Sequence, residues 1–298
     1  PSIGIHDDLA ATALYLKVGE TEAAIVSLDI IFAGTDEIAA IRSRCEEQSG
    51  VPAGNVFLAF SHTHSGPQPG PGEGDPLRAA YAEALRWKIA GAICEAKERS
   101  MPMRVGRGHK PARIAGNRRE RTANGTILGY NPDGPTPDTT DVLRFDDEAT
   151  GETVGVLFQY ACHGTTMGGD NLWISADYQG PARQMAERLM PGVRAMFVGG
   201  CGADQNPYPR ETFEWVERHG AVLGAAVYQA CLDIRETEEI ETLAVHIGQC
   251  ELPVADLPPL EECRDQLRAA EQEADAARRE HAEKNGVEYD PSLPLSWH

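Results

Sequence analysis

Short apolar runs alternate with longer amphipathic stretches over most of the chain, the pattern of strands exchanging with helices. The run 23–29 predicts a buried strand, and Thr35 or Asp36 is placed to cap a helix that Gly50 ends. Val56–Phe60 predicts the next strand. Asp75 and Pro76 supply a capping residue and a first-turn proline for a helix reaching to about residue 100. Residues 101–140, rich in proline, glycine and arginine, predict extended and loop structure. Strands are expected over 139–145, 154–161, 194–198 and 242–254, with helices over 178–190 and Phe213–Asp233. The fold class predicted is α/β, a mixed β-sheet core with flanking helices and a C-terminal extended helix. That last helix occupies 260–285, where Ala269, Ala270, Ala274, Ala276 and Ala277 give only a thin apolar stripe. The pattern divides the chain into a domain over 1–255 and a helical segment over 256–298 that protrudes, acts as a lid or opens a second subdomain. The apolar stretch 292–298, without a cap, predicts that the native protein continues beyond it.

Composition narrows the partners rather than the fold. With 41% hydrophobic and 24% charged residues the chain has the profile of a soluble globular protein. Its formal net charge of −19 argues against nucleic acid and anionic membrane surfaces, both of which need basic patches. No apolar run approaches the length of a membrane span. Seven cysteines are scattered without a CxxC pair, which fits free thiols in a reducing, cytoplasmic-type compartment better than a disulfide framework.

Three strand ends concentrate chemistry-bearing residues, and sites in α/β sheets form where loops leave the carboxyl ends of strands. The first is Ser61-His62-Thr63-His64-Ser65-Gly66-Pro67, where alternation along an extended chain puts both imidazoles on one face. The second is Cys162-His163-Gly164-Thr165, and the third runs from Gly199 through Asp204, Gln205 and Asn206 to Pro207. His62, His64 and His163 together offer enough imidazole for a zinc site, which in enzymes takes three protein ligands and a water. Cys162 and Cys201 are weaker nucleophile candidates, better explained as small hydrophobes. The loop 199–202 lacks the lysine and spacing of a P-loop and is read either as a backbone nest for an oxyanion or as a tight turn. Arg118 and Arg119 have Asp138 and Asp141 as candidate partners in so acidic a chain. The HxHxDH pattern of metallo-β-lactamase-type enzymes is broken by Ser65-Gly66-Pro67, and no DxH precedes the histidine pair as calcineurin-like phosphoesterases require.

These segments, with Gly4-Ile5-His6-Asp7, Ser27-Leu28-Asp29, Asn117-Arg118 and Ile174-Ser175-Ala176-Asp177-Tyr178, resemble the catalytic domain of the neutral/alkaline, non-lysosomal ceramidase family through most of 1–255. The resemblance implies a zinc-dependent amidase acting on a small or lipid-like N-acyl substrate, often exported. It assigns zinc ligation to His62 and His163 and active-site roles to His64 and Arg118. The family's further ligands, a glutamate and a tyrosine, lie beyond the matching segments, so a longer protein is implied. One departure concerns the family's catalytic serine: Asn206 stands in that turn. Asparagine cannot attack as serine does, but it can hydrogen-bond a carbonyl or oxyanion. The expected function is therefore zinc-dependent hydrolysis of an amide bond with His64, Arg118 and Asn206 as catalytic residues. The alternatives are a catalytically impaired binding protein and a hydrolase of a different acyl amide or ester. Oligomeric state is not legible.

Overall fold

The computed structural model describes residues 2–70, 75–123, 125–254, 256–286 and 288–291. The predicted terminal stretch 292–298 lies outside them. The chain divides into two compact units, residues 1–246 and 247–298. The first is mixed α/β, as its alternating pattern predicts, and the second is built around one helix.

Within the first unit the chain runs β1 (Gly4–Ile5), β2 (Ala11–Val18), β3 (Thr21–Leu28), α1 (Thr35–Ser49), β4 (Val56–Phe60), α2 (Pro76–Glu98), β5 (Met103–Pro111), β6 (Ala115–Thr122), β7 (Gly125–Asn131), β8 (Thr139–Asp147), β9 (Thr153–Tyr160), β10 (Trp173–Ile174), α3 (Gln179–Leu189), β11 (Arg194–Gly199), β12 (Gln205–Pro207) and α4 (Phe213–Asp233). Two α/β layers carry the mass. In one, the sheet β2-β3-β4 packs on α1 and α2 around Val26, Leu28, Ile41, Ile89 and Ile93, all fully buried. In the other, the sheet β11-β9-β8-β5 packs on α3 and α4 around Phe158, Phe197, Leu223 and Val227. Both layers contain parallel and antiparallel neighbours: β3 pairs β4 and β9 pairs β11 in parallel, whereas β2–β3, β5–β8 and β8–β9 are antiparallel. Two small sheets, β12-β6-β7 and β1-β10, sit where loops leave the large ones.

The layers are tied by buried polar contacts. Ser27 Oγ donates to the Phe197 carbonyl at 2.5 Å. Asp29, directly after β3, receives both ends of the Arg183 guanidinium from α3 at 2.8 and 2.5 Å, and also accepts the Ala10 N–H at 2.9 Å. The Asp29 side chain has no solvent exposure and that of Arg183 has 10%. A two-pronged guanidinium–carboxylate pair fixes direction as well as distance.

Asp75 caps α2 as predicted, accepting from the N–H groups of Leu77 and Arg78, and Gly50 closes α1 at φ 73°. The 101–140 stretch is extended and loop, as predicted, and much of it is paired strand, because β5 finds β8 and β6 finds β7 and β12. Two expectations are corrected. The N-cap of α1 is Gly34 without a side-chain bond; Thr35 already lies inside the helix, and Asp36 and Glu37 act in its first turn, where carboxylates suit the helix dipole. Residues 242–254 form no strand: they are almost wholly exposed, with no ladder partner among the described residues, and an unpaired strand leaves its hydrogen bonds to water. In the second unit α5 (Leu260–Asn285) realises the predicted extended helix. No helix among the described residues is long and apolar enough to cross a membrane.

The Asp29–Arg183 pair yields a stability prediction. Arg183→Met leaves a buried carboxylate without its cation and lowers stability by about 3–5 kcal/mol, while the double change Asp29→Leu/Arg183→Met recovers a large part of that loss. Denaturant midpoints at constant m-value measure both.

Candidate functional site

The site is assembled from four extended segments laid side by side. After β4 the chain runs through His62, Thr63 and His64; Thr63 bridges Gly164 in parallel, and the His64 N–H donates to the Gly164 carbonyl at 3.0 Å. The segment carrying His163 pairs in turn with β12, the His163 N–H donating to the Gln205 carbonyl at 3.1 Å. Strand β12 then pairs antiparallel with β6, setting Asn206 opposite Gly116, and the Arg118 N–H donates to the Asp204 carbonyl at 2.8 Å. All five residues singled out in the sequence therefore lie on neighbouring segments.

The histidines converge, though not by strand alternation. Strand β4 stops at Phe60, and His62 sits in the left-handed region at φ 61°, so its ring direction is set by a backbone kink. Ring centroids of His62 lie 5.0 Å from His64 and 4.8 Å from His163, and one nitrogen from each ring falls within 4.8 Å of the others. Among the described residues the non-glycine positions with positive φ are His62, Asp177 at 54° and Glu211 at 80°, all in loops of this region. Such conformations persist only where surrounding contacts over-determine them.

Backbone carbonyls orient two of the rings. His62 Nδ1 lies 2.7 Å from the Ile31 oxygen, and His163 Nδ1 lies 2.7 Å from that of Gly202 and 3.1 Å from that of Gln205. A carbonyl only accepts, so Nδ1 carries the proton in both rings and Nε2 keeps its lone pair. That outer contact is the arrangement found behind metal-binding imidazoles. His64 has no side-chain hydrogen bond among the described residues. The set could hold a metal ion.

Glycine makes the close approach possible. A Cβ on Gly164 would stand 2.8 Å from the His62 oxygen and Thr63 Cα, and one on Gly202 would stand 2.5 Å from the Cys162 nitrogen. The loop 199–202 contributes a carbonyl rather than an oxyanion nest, because the N–H groups of Gly200 and Gly202 are already committed to the carbonyls of Tyr160 and Gly200.

The segment 175–179 clamps both histidine loops. Thr63 Oγ1 donates to the Ser175 carbonyl at 2.7 Å, the Ser175 N–H to Ser65 at 2.9 Å, and Gln179 Nε2 to Ser61 at 3.0 Å. On the other side Asp177 accepts the Thr166 N–H at 2.8 Å, and the Tyr178 hydroxyl donates to the Cys162 carbonyl at 2.9 Å. Asp7 holds this segment from behind, accepting from Ser175 Oγ at 2.6 Å and the Ala176 N–H at 2.7 Å.

Arg118 and Asn206 meet directly. Arg118 Nη1 donates to Asn206 Oδ1 at 3.3 Å, and Thr165 Oγ1 donates to the same oxygen at 3.1 Å. A guanidinium only donates, so the amide orientation is fixed and Nδ2 is the group left to donate elsewhere. The expected pairing of Arg118 and Arg119 with Asp138 and Asp141 is corrected: both arginines bond the Ala203 carbonyl, and Asp138 pairs with Arg113 at 3.2 Å, because β6 runs beside the turn before β12. The Cys162 thiol is pushed well up by burial, which leaves it a protonated core group.

The fold has solved counterparts. The crystal structure of neutral ceramidase from Pseudomonas aeruginosa matches with a TM-score of 0.56 at 23% identity, over 74% of this chain and 38% of that one. A ceramidase complexed with C2 matches with a TM-score of 0.60 at 25% identity, over 78% of this chain and 40% of that one. The chain has the neutral-ceramidase fold. It spans about two fifths of the length of those structures. No family model and no curated protein sequence matches it.

Two residues of this site were not singled out in the sequence. Arg210 acts electrostatically on His64 and Arg118. Thr165, though inside a quoted motif, orients Asn206. Neither has a spacing signal; their roles follow from long-range pairing.

The electrostatics favour the neutral form of His163 and His64. Burial first, then the Arg118 charge, pushes His163 down to about 4. Burial, the other two histidines and the charges of Arg118 and Arg210 push His64 down to about 4, an effect softened by its position at the exposed rim. Unfolded histidine titrates near 6.5, so the unfolded chain takes up a proton that the native His163 refuses. This contribution is fully present above about pH 6.5 and is lost as pH falls toward 4, by about 3 kcal/mol for His163. Chelator-treated protein should show this fall in its denaturation midpoint, and His163→Gln should flatten it.

Proposed function

We propose that this chain carries the metal-binding half of a zinc-dependent hydrolase that cleaves the amide bond of an N-acyl substrate. The observation that carries the proposal is the convergence of His62 and His163 with both Nδ1–H groups committed to carbonyls. The donor set fits the group: neutral imidazole nitrogens, oriented from behind, suit a borderline ion such as zinc. His62 and His163 would hold it through Nε2. Bound zinc supplies Lewis acidity, polarising an acyl carbonyl and acidifying water.

The protein groups do the rest. His64, neutral at physiological pH and unfixed by any carbonyl, accepts the proton of the attacking water and returns it to the departing amine. Asn206 donates Nδ2 to the substrate oxygen as charge develops there. Arg118 and Thr165 hold that amide in orientation. Water adds to the acyl carbon, the C–N bond breaks, and the products are an acid and an amine.

Asn206 favours a second, narrower reading within the same chemistry, hydrolysis of an N-acyl compound other than ceramide. It occupies the turn of the family's serine, so an attack through that residue is replaced by attack of water.

Zinc content and turnover test the proposal together. In purified protein, His62→Ala and His163→Ala should each lower zinc affinity by well over tenfold, beyond the about 10–100-fold seen when outer contacts are lost. His64→Ala should keep zinc and lose about 10²–10⁴-fold in kcat. Asn206→Ala should lose about 10²–10³-fold in kcat with zinc retained. Zinc-free protein whose turnover of N-acyl amides survives His62→Ala would sink the reading.

A further inference from the structure

Two guanidinium groups of this site, Arg118 bonded to Asn206 and Arg210 tied through its neighbour Glu211 to the His163 loop, have no carboxylate partner among the described residues. Arg118 bonds an amide oxygen and a backbone carbonyl, and Arg210 forms no ion pair among the described residues. The chain holds 46 acidic and 27 basic residues, so acids to pair with are abundant and these two arginines are left without one. Asp204 is nearest in sequence to the site, yet its carboxylate accepts from Asn117 Nδ2 at 3.2 Å. An aspartate at 206 would have neutralised Arg118, whereas Asn206 orients the guanidinium and leaves its charge intact.

Arg210 is held rather than loose. The Tyr208 N–H donates to the Ile114 carbonyl at 2.9 Å, the Pro209 carbonyl lies 2.6 Å from His219 Nε2, and the Glu211 N–H donates to Thr166 at 2.6 Å. Glu211 takes the strained φ of 80° that this last bond demands. The Thr166 partner lies on the His163 loop, so Arg210 is anchored to the segment that carries a histidine of the trio. Its side chain is half-buried, and Nε is fully buried with no hydrogen-bond partner. A buried, unpartnered donor on a charged group costs free energy that a ligand can return.

We propose that Arg210, together with Arg118, receives an oxyanion group of the substrate, so that the amide cleaved belongs to an N-acyl compound carrying a carboxylate or phosphate close to the scissile bond. The guanidinium fork matches such oxyanions in geometry and charge. A local positive field is also what an anionic ligand needs when it approaches a chain of net charge −19. This inference rests on the amide-hydrolase reading of the same site.

Three matched probes test it: N-lauroylglycine (carboxylate), N-lauroylphosphoethanolamine (phosphate) and N-lauroylethanolamine (neutral). Binding to the purified protein is measured by calorimetry with and without zinc, and turnover in parallel. At least one anionic probe should bind roughly ten- to a hundredfold more tightly than the neutral one, and Arg210→Gln should collapse that ratio toward one. Arg210→Lys, which keeps charge but not the fork, should retain only part of it. Which of the carboxylate and phosphate probes wins identifies the oxyanion. A wild-type ratio near one, or a ratio unchanged in Arg210→Gln, overturns the proposal, and the wild-type ratio decides alone if the variants do not fold. Zinc-dependent turnover without anion preference would refute the oxyanion site and spare the hydrolase. Anion preference without zinc binding or turnover would refute the hydrolase and spare the oxyanion site.

Discussion

The histidine cluster depends on a hydrogen-bonded clamp that grips loops leaving two different sheets. His62 and His64 leave the sheet β2-β3-β4, while His163 leaves the sheet built on β9, and each sheet has its own hydrophobic core. Hydrophobic burial is non-directional, so two separate cores cannot set the spacing of two loops to a fraction of an ångström. Hydrogen bonds can, and segment 175–179 supplies them to both loops at once. The cost is visible in Asp177, whose carboxyl is pushed up by complete burial against the pull of the N–H groups it accepts. A backbone at φ 54° and a fully buried carboxylate are poor choices for stability alone. Together they fix the distance between two histidine loops.

The same constraint explains which parts were legible in the sequence. Strands β3, β4, β9 and β11 declare themselves because each is a short apolar run, and α2 and α4 because their caps and lengths are local. The site motifs were visible because they follow those strands directly. Strand β2 and the strands of 101–140 were not visible as ladders, because their identity rests on partners far along the chain: β6 becomes a strand by pairing with β12, almost ninety residues later. The error at 242–254 has the same root, since an apolar pattern states that a strand could form and not that a partner exists. The HxH pair was grouped correctly for an incomplete reason. Alternation needs a continuing strand, whereas the kink at His62 does the work here.

The shared fold and the local chemistry carry different information. Backbone similarity to neutral ceramidases extends over about three quarters of this chain at 23–25% identity, and in this chain the loops after β4 and β9 and strand β12 lie side by side. Function resides in the side chains those loops hold. At one of them, Asn206, the amide oxygen is taken by Arg118 and Thr165, so the turn presents Nδ2 as a hydrogen-bond donor. Under the proposed function that turn offers no attacking oxygen, and the nucleophile is water.

Under the same proposal the three histidines take unequal tasks. A ring whose Nδ1–H is locked to a carbonyl, as in His62 and His163, has one tautomer and one available lone pair, which suits steady coordination. Proton transfer asks for the opposite: a ring that can gain and lose a proton without breaking a structural bond. His64 is the member of the trio with no such bond, and it sits at the exposed rim where a proton can leave for solvent. Its ring is held near the others by the Thr63–Gly164 bridge and the His64 N–H bond to Gly164, backbone contacts that leave both imidazole nitrogens free. The backbone thus places all three rings, while hydrogen bonding to the rings themselves separates the two whose Nδ1 is committed to a carbonyl from the one whose nitrogens are not.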